Sequence, residues 1–150
     1  MTVKIGIIGA GRIGKVHAEN LVMRIPNAEV VAVADVFEDA AQQLAKRLNI
    51  STATGNHHEL LNNSDIDAVV IGSSTDTHAQ FTIEAAQAGK HIFCEKPIDL
   101  SLARIQEVLK VVEKSGVKFQ VGFNRRFDPN FSRIRQAVQQ GDIGEPHLLH

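Results

Sequence analysis

The chain has 150 residues, 43% hydrophobic and 22% charged, the size and balance of one folded domain rather than of a disordered or low-complexity segment. Sixteen Lys and Arg against seventeen Asp and Glu leave a net charge of −1, and the signs are interspersed, which argues against a nucleic-acid or anionic-membrane surface. Cys94 is the only cysteine, so an intramolecular disulfide framework is excluded and a reducing cytoplasm suits the chain; no apolar stretch approaches the ~20 residues of a membrane span.

Short β-rich runs alternate with longer segments of helical period, the pattern of an α/β fold with a doubly wound, mostly parallel sheet. In chain order, a strand is expected from Val3 to Gly9, a helix from Arg12 to Arg24, a strand from Ala28 to Ala34 and a helix from Val36 to Leu48. A weak strand near Ser51 to Thr54 and a short helix from His57 to Asn62 follow. Next come a strand from Asp67 to Gly72, a helix from Thr77 to Ala88 and a strand from Lys90 to Cys94. The helix from Leu102 to Ser115 places Leu102, Ile105, Leu109 and Val112 on one stripe, and a last buried strand runs from Val117 to Val121. Asn56 with Glu59, and Thr77 with Gln80, have capping-box spacing, and Gly89 and Gly116 stand where a C′ glycine belongs. Phe119, Phe123, Phe127 and Phe131 recur every four residues, but Gly122 and Pro129 divide them into strand, irregular segment and helix. That helix starts with Asp128 as N-cap and Pro129 at N1, runs to about Gln140 and stops at Gly141. The segment Pro146-His147-Leu148-Leu149-His150 reads as a strand.

The sharpest signal is Gly9-Ala10-Gly11-Arg12-Ile13-Gly14, set directly after the first strand and opening a helix. The first glycine permits a tight turn, the second a close approach of backbone to pyrophosphate, and the third close helix-to-strand packing. The helix N-terminus adds free N–H groups and a positive dipole end. These features make the fold Rossmann-type, with helices on both faces, and make residues 9–14, including Arg12 and Ile13, dinucleotide-binding candidates. Asp35 lies twenty-one positions beyond Gly14, at the end of the second strand. Its carboxylate there accepts from ribose hydroxyls and repels a 2′-phosphate; no Arg immediately follows it, so NAD is expected over NADP. The competing role is an N-cap for the next helix, with Glu38 at N3.

Ligands of open α/β sheets bind beyond the carboxyl ends of the strands. Three further segments leave such ends. Ser73, Ser74, Thr75 and His78 suit the nicotinamide ribose, or equally an ordinary capped loop. Glu95-Lys96-Pro97 places a lysine at the end of a buried strand, where burial would lower its pKa and fit it for proton transfer; Lys96-Pro97 is also a place for a cis bond. Asn124 and Arg125, beside phenylalanines taken as buried, suggest a cleft wall or domain junction. No HxxxH or HExxH spacing joins the seven histidines, so no metal site is expected. Cys94 sits in a strand without an evident base and reads as a buried structural thiol.

The glycine loop extended through Lys15-Val16-His17, the Ala88-Gly89-Lys90-His91-Ile92-Phe93-Cys94-Glu95-Lys96-Pro97 segment and Gly122-Phe123-Asn124-Arg125-Arg126-Phe127-Asp128-Pro129 resemble the Gfo/Idh/MocA oxidoreductases, within them the inositol-oxidising group. The resemblance covers the whole chain. It implies NAD-dependent oxidation of a ring secondary alcohol of a cyclitol to a ketone, with Lys96 catalytic and Glu95 and Lys96 near the nicotinamide. It also implies a homo-oligomer and a second α/β domain contributing an Asp and a His, for which this sequence offers no residues. Residues 1–150 are then the NAD-binding domain, with 124–150 the junction toward the absent one, and turnover by this chain alone is not expected. A non-catalytic dinucleotide-binding module and the cofactor domain of a related sugar dehydrogenase stay open as alternatives.

Overall fold

The computed structural model describes residues 2–148. Its elements are β1 (Val3–Ile8), α1 (Arg12–Arg24), β2 (Ala28–Ala34), α2 (Glu38–Leu48), β3 (Thr52–Thr54), α3 (His57–Asn62), β4 (Ala68–Ile71), α4 (Thr75–Gln87), β5 (His91–Glu95), α5 (Leu102–Ser115), β6 (Phe119–Gly122), a 3-10 turn (Asn124–Phe127) and α6 (Pro129–Gln140). One sheet holds the six strands in the order β3-β2-β1-β4-β5-β6, and every adjacent pair is parallel. The chain winds outward from β1 to β3, then returns to lay β4 on the other side of β1. At that reversal the connections leaving β1 and β4 diverge, which opens a crevice at the carboxyl ends of the strands.

Successive side chains of a strand point to opposite faces, and here both faces are covered. Ile5, Ile7, Val33 and Val70 pack with Ala18 of α1 and Ala41 and Leu44 of α2. Ile8, Val69, Ile71 and Cys94 pack on the other side with Leu60, Ala79, Ala85 and Val108 of α3, α4 and α5. Burial of each large aliphatic side chain contributes about 1.5–3 kcal/mol, and burial on both faces is why the strands read as unbroken apolar runs.

Several expected boundaries move, each for a local reason. α2 begins at Glu38 rather than Val36, because the Asp35 carboxylate accepts from the Phe37 N–H (2.9 Å) and holds residues 35–37 in a turn. α4 begins at Thr75, two residues before the expected Thr77 cap; Thr77 instead donates its hydroxyl to the Ser74 carbonyl (2.7 Å) from inside the first turn. Lys90 precedes β5 and is 7% exposed. Its ammonium donates to the carbonyls of Asn63 (2.6 Å) and Ile66 (2.8 Å), and desolvation pulls its pKa below the ordinary lysine value, with Asp67 opposing. β6 begins at Phe119 and extends to Gly122.

On α5 the inward stripe is Val108 and Val112 with Ile105 half-buried, while Leu102 and Leu109 are exposed. Adjacent apolar residues at 108 and 109 let two stripes satisfy the same helical period, so the sequence does not set the phase. The Asp128 cap forms as expected, accepting from Asn130 N (2.9 Å) and Phe131 N (3.2 Å). Gly89, Gly116 and Gly141 all take positive φ. Phe123 and Phe127, expected to be buried, are exposed, as is Phe131, and α6 has no buried residue. Residues 146–148 belong to no strand, and Leu149 and His150 of the expected terminal strand lie outside the described residues. No described helix is long and apolar enough to cross a membrane.

Candidate cofactor and active site

The crevice begins at the glycine loop. Gly9 has φ +104°, and a Cβ there would stand 2.6 Å from the Ser73 backbone nitrogen. A Cβ on Gly14 would collide with the Gly9 carbonyl oxygen, so helix α1 and the turn before it interlock backbone to backbone. Around Gly11 the space is open, with no atom within 4 Å of a Cβ position. Gly11 is also the N-cap of α1 and supplies no side-chain cap, which leaves the first N–H groups of the helix available to an anion. A dinucleotide's pyrophosphate fits this cradle in both space and charge.

Asp35 closes the loop from the side. One carboxylate oxygen accepts from Ala10 N at 2.6 Å and the other from Phe37 N. The N-cap alternative is corrected here: Phe37 is the N-cap of α2, and the carboxylate ties the glycine loop to the β2–α2 connection instead. Asp35 and Val36 line two adjoining hollows. One is walled by Gly55, His57 and Phe81; the other runs past Gly11, Arg12 and Ile13 to Ser73, Ser74 and Thr77. The Ser73 and Thr77 hydroxyls bond each other at 2.7 Å. Thr77, which the sequence offered both as a cap and as part of the polar segment after the fourth strand, lines the groove, and Thr75 opens α4 beside it.

His78, read in the sequence with the ribose-lining segment, is 2% exposed. Its Nδ1 lies 2.7 Å from the Pro97 carbonyl and its Nε2 3.1 Å from the Ser73 carbonyl. A neutral ring donates to one of these acceptors and a protonated ring to both. Either way it ties the start of α4 to the segment after β5. A second histidine reaches that segment from α1: His17 Nε2 donates to Glu95 Oε1 at 2.8 Å, and its ring meets Phe93 edge-on. Glu95 Oε2 accepts from the Lys96 N–H at 3.2 Å. Glu95 therefore points toward His17, and His17 is a site-region residue that the sequence signalled only by its place in the extended loop motif.

Lys96 departs from expectation. It leaves the end of β5, and its bond to Pro97 is cis, yet the side chain is exposed rather than buried. It shares an open depression with Asn124, Arg125 and Arg126 on the far side of the crevice from Asp35. Arg125 lies over the Phe131 ring at 4.6 Å, which is how the exposed aromatic beside it is used. Cys94, by contrast, is fully buried; burial pushes its thiol up to about 11, with Glu95 adding to the rise, and Sγ donates to the Glu95 carbonyl at 3.3 Å.

Comparison with known proteins follows the same outline. Residues 3–123 match the model of the oxidoreductase family with an NAD-binding Rossmann fold, Gfo/Idh/MocA. The chain is 45% identical over 146 residues to the myo-inositol 2-dehydrogenase of Thermotoga maritima, covering 97% of this chain and 43% of that protein. It is 50% identical over 149 residues to the inositol 2-dehydrogenase of Rhizobium meliloti, covering 99% and 44%. The crystal structure of scyllo-inositol dehydrogenase from Lactobacillus casei with bound NAD(H) and scyllo-inositol superposes with a TM-score of 0.90 at 38% identity, over 97% of this chain and 43% of that one. The chain thus spans somewhat less than half the length of the relatives it matches. It is a member of the Gfo/Idh/MocA oxidoreductase family and carries that family's NAD-binding Rossmann fold.

Proposed function

We propose that this chain binds NAD across the crevice and forms the cofactor half of a dehydrogenase that oxidises a ring secondary alcohol of a cyclitol to a ketone. The observation that carries the reading is Asp35: its carboxylate is fixed beside the pyrophosphate cradle by Ala10 N and Phe37 N, and Val36 and Phe37, not a cation, follow it. A carboxylate so placed accepts from ribose hydroxyls and repels a 2′-phosphate. The inositol dehydrogenase relatives, and the scyllo-inositol bound in one of them, support the substrate class.

When bound, NAD supplies the hydride acceptor at its nicotinamide ring. The chain's own residues do the rest. Gly9, Gly11 and the start of α1 hold the pyrophosphate; Ser73, Ser74 and Thr77 line the path toward the nicotinamide; Lys96 Nζ binds the substrate hydroxyl and helps to move its proton. Residues 124–150 lead toward a substrate domain contributing an Asp and a His to that proton transfer. Glu95, Asn124 and Arg125 border the nicotinamide end. The longer protein is a homo-oligomer working in the cytoplasm, in keeping with the single buried thiol.

The test is paired titration of this chain with NAD and NADP, read by thermal or denaturant unfolding. NAD at a hundredfold excess over Kd stabilises the fold by about 2.7 kcal/mol, and Asp35→Ala removes the preference. Tighter binding of NADP than of NAD would overturn the assignment.

A further inference from the structure

Away from the glycine loop and Lys96, three donor side chains from two helices converge. His57 and His58 open α3, and Glu84 lies on α4, twenty-six or more positions later. One donor atom from each falls within 4.8 Å of the other two. The His57 Nε2 sits 2.7 Å from Glu84 Oε2, and the two imidazole rings lie 4.1 Å apart with planes inclined by 34°.

The arrangement is built rather than incidental. Phe81 packs against the His57 ring at 4.1 Å and fixes its plane. The Asn56 carboxamide oxygen accepts from the His58 N–H at 3.0 Å and fixes the turn that carries both histidines. Gln80 donates to Glu84 Oε1 at 2.8 Å, which leaves Oε2 aimed at His57. That is the support an outer partner gives a metal-binding carboxylate. Burial tends to raise the Glu84 carboxyl, but the hydrogen bonds from His57 and Gln80 and the nearby His57 and His58 outweigh it, and the pKa is lowered. Among the described residues the His58 ring has no hydrogen-bond partner.

We propose that His57, His58 and Glu84 form a site for a divalent transition metal of the zinc class. Two imidazoles and a carboxylate are a donor set that suits zinc, with water in the remaining position on the exposed His58 side. On binding, the Nε2 lone pair of His57 takes the metal in place of its proton, which passes to solvent or moves to Nδ1. No spacing rule finds this site, because its third ligand comes from a separate helix. The metal joins α3 to α4, and since His57 and Phe81 also wall the hollow beside Asp35, it fixes that wall.

The experiment is calorimetric titration of zinc chloride into the untagged chain, with thermal unfolding recorded in parallel. One zinc binds per chain and raises the unfolding temperature. His58→Ala changes an exposed side chain and leaves the fold intact, as circular dichroism checks; it and Glu84→Gln each weaken zinc binding by more than about tenfold, the low end for loss of even an outer partner. His147→Ala, remote in sequence and exposed, changes nothing. The proposal is overturned by absence of saturable binding, by wild-type affinity in either His58→Ala or Glu84→Gln, or by loss of binding in His147→Ala. None of these readouts depends on NAD or on turnover, so the site stands or falls apart from the proposed dehydrogenase function.

Discussion

Asp35 and Lys96 both leave the ends of parallel strands in one sheet, and each is followed by the turn its neighbours dictate. Asp35 is held through both carboxylate oxygens by main-chain N–H groups; the Lys96 ammonium has no hydrogen-bond partner among the described residues, and only the peptide around it is braced, by Glu95 with His17 and by His78. At the proposed nucleotide end Asp35 is therefore held by the chain's own backbone, so binding there costs little ordering. The proposed reacting end presents an exposed charge, and an exposed charge has little influence on a substrate until water is displaced. On the proposed function, affinity for cofactor and competence for chemistry are thus separable, and each can be broken without the other.

The largest effect is expected at the exposed end. In the longer protein, Lys96→Ala lowers kcat by about 10²–10⁴-fold with NAD affinity unchanged; steady-state kinetics that retain full kcat would remove Lys96 from the chemistry. At the nucleotide end, Gly14→Ala forces a Cβ into the Gly9 carbonyl and costs about 3 kcal/mol, the upper part of the overpacking range, together with NAD binding. Urea unfolding of this chain measures it, and wild-type stability would show the interlock to be loose.

Between the two ends the sheet is closed. With its thiol raised from 9.0 to about 11, Cys94 has about a hundredfold less thiolate at pH 8 than an unperturbed thiol. It reacts with a chromogenic disulfide only as the chain unfolds, and fast labelling of the native protein would contradict the burial. The smallest effect belongs to the brace. His17→Ala removes one hydrogen bond to Glu95 and costs about 1 kcal/mol, yet in the longer protein it lowers kcat with KM for NAD unchanged. A shift in KM alone would make His17 a cofactor residue instead.

The sheet, the glycine loop and Asp35 were legible because each is written in local sequence: apolar runs of strand length, glycines at fixed offsets, an acid at a strand end. The phase of α5 was not, since Val108 and Leu109 fit the period equally well until the sheet chooses between them. Lys96, expected to be buried, is exposed, while Lys90, for which the sequence offered no reading of its environment, is buried. Burial is a property of what packs above a residue, and the carbonyls that receive Lys90 come from 24 and 27 positions away. The roles of His17, His78 and the cluster of His57, His58 and Glu84 depend on partners from 5 to 78 positions away. No periodicity encodes such pairs.

The two apolar clusters lie on opposite faces of the sheet and share strands but no helices. Gly9 leads into α1 on one face, and Ser73 leads into α4 on the other. A dinucleotide laid between them acts as a clasp across the carboxyl ends of the central strands, so its binding is felt on both faces at once. Amide hydrogen exchange should slow together in α1 and α4 when NAD is added, even though no side chain of one helix layer needs to touch the other.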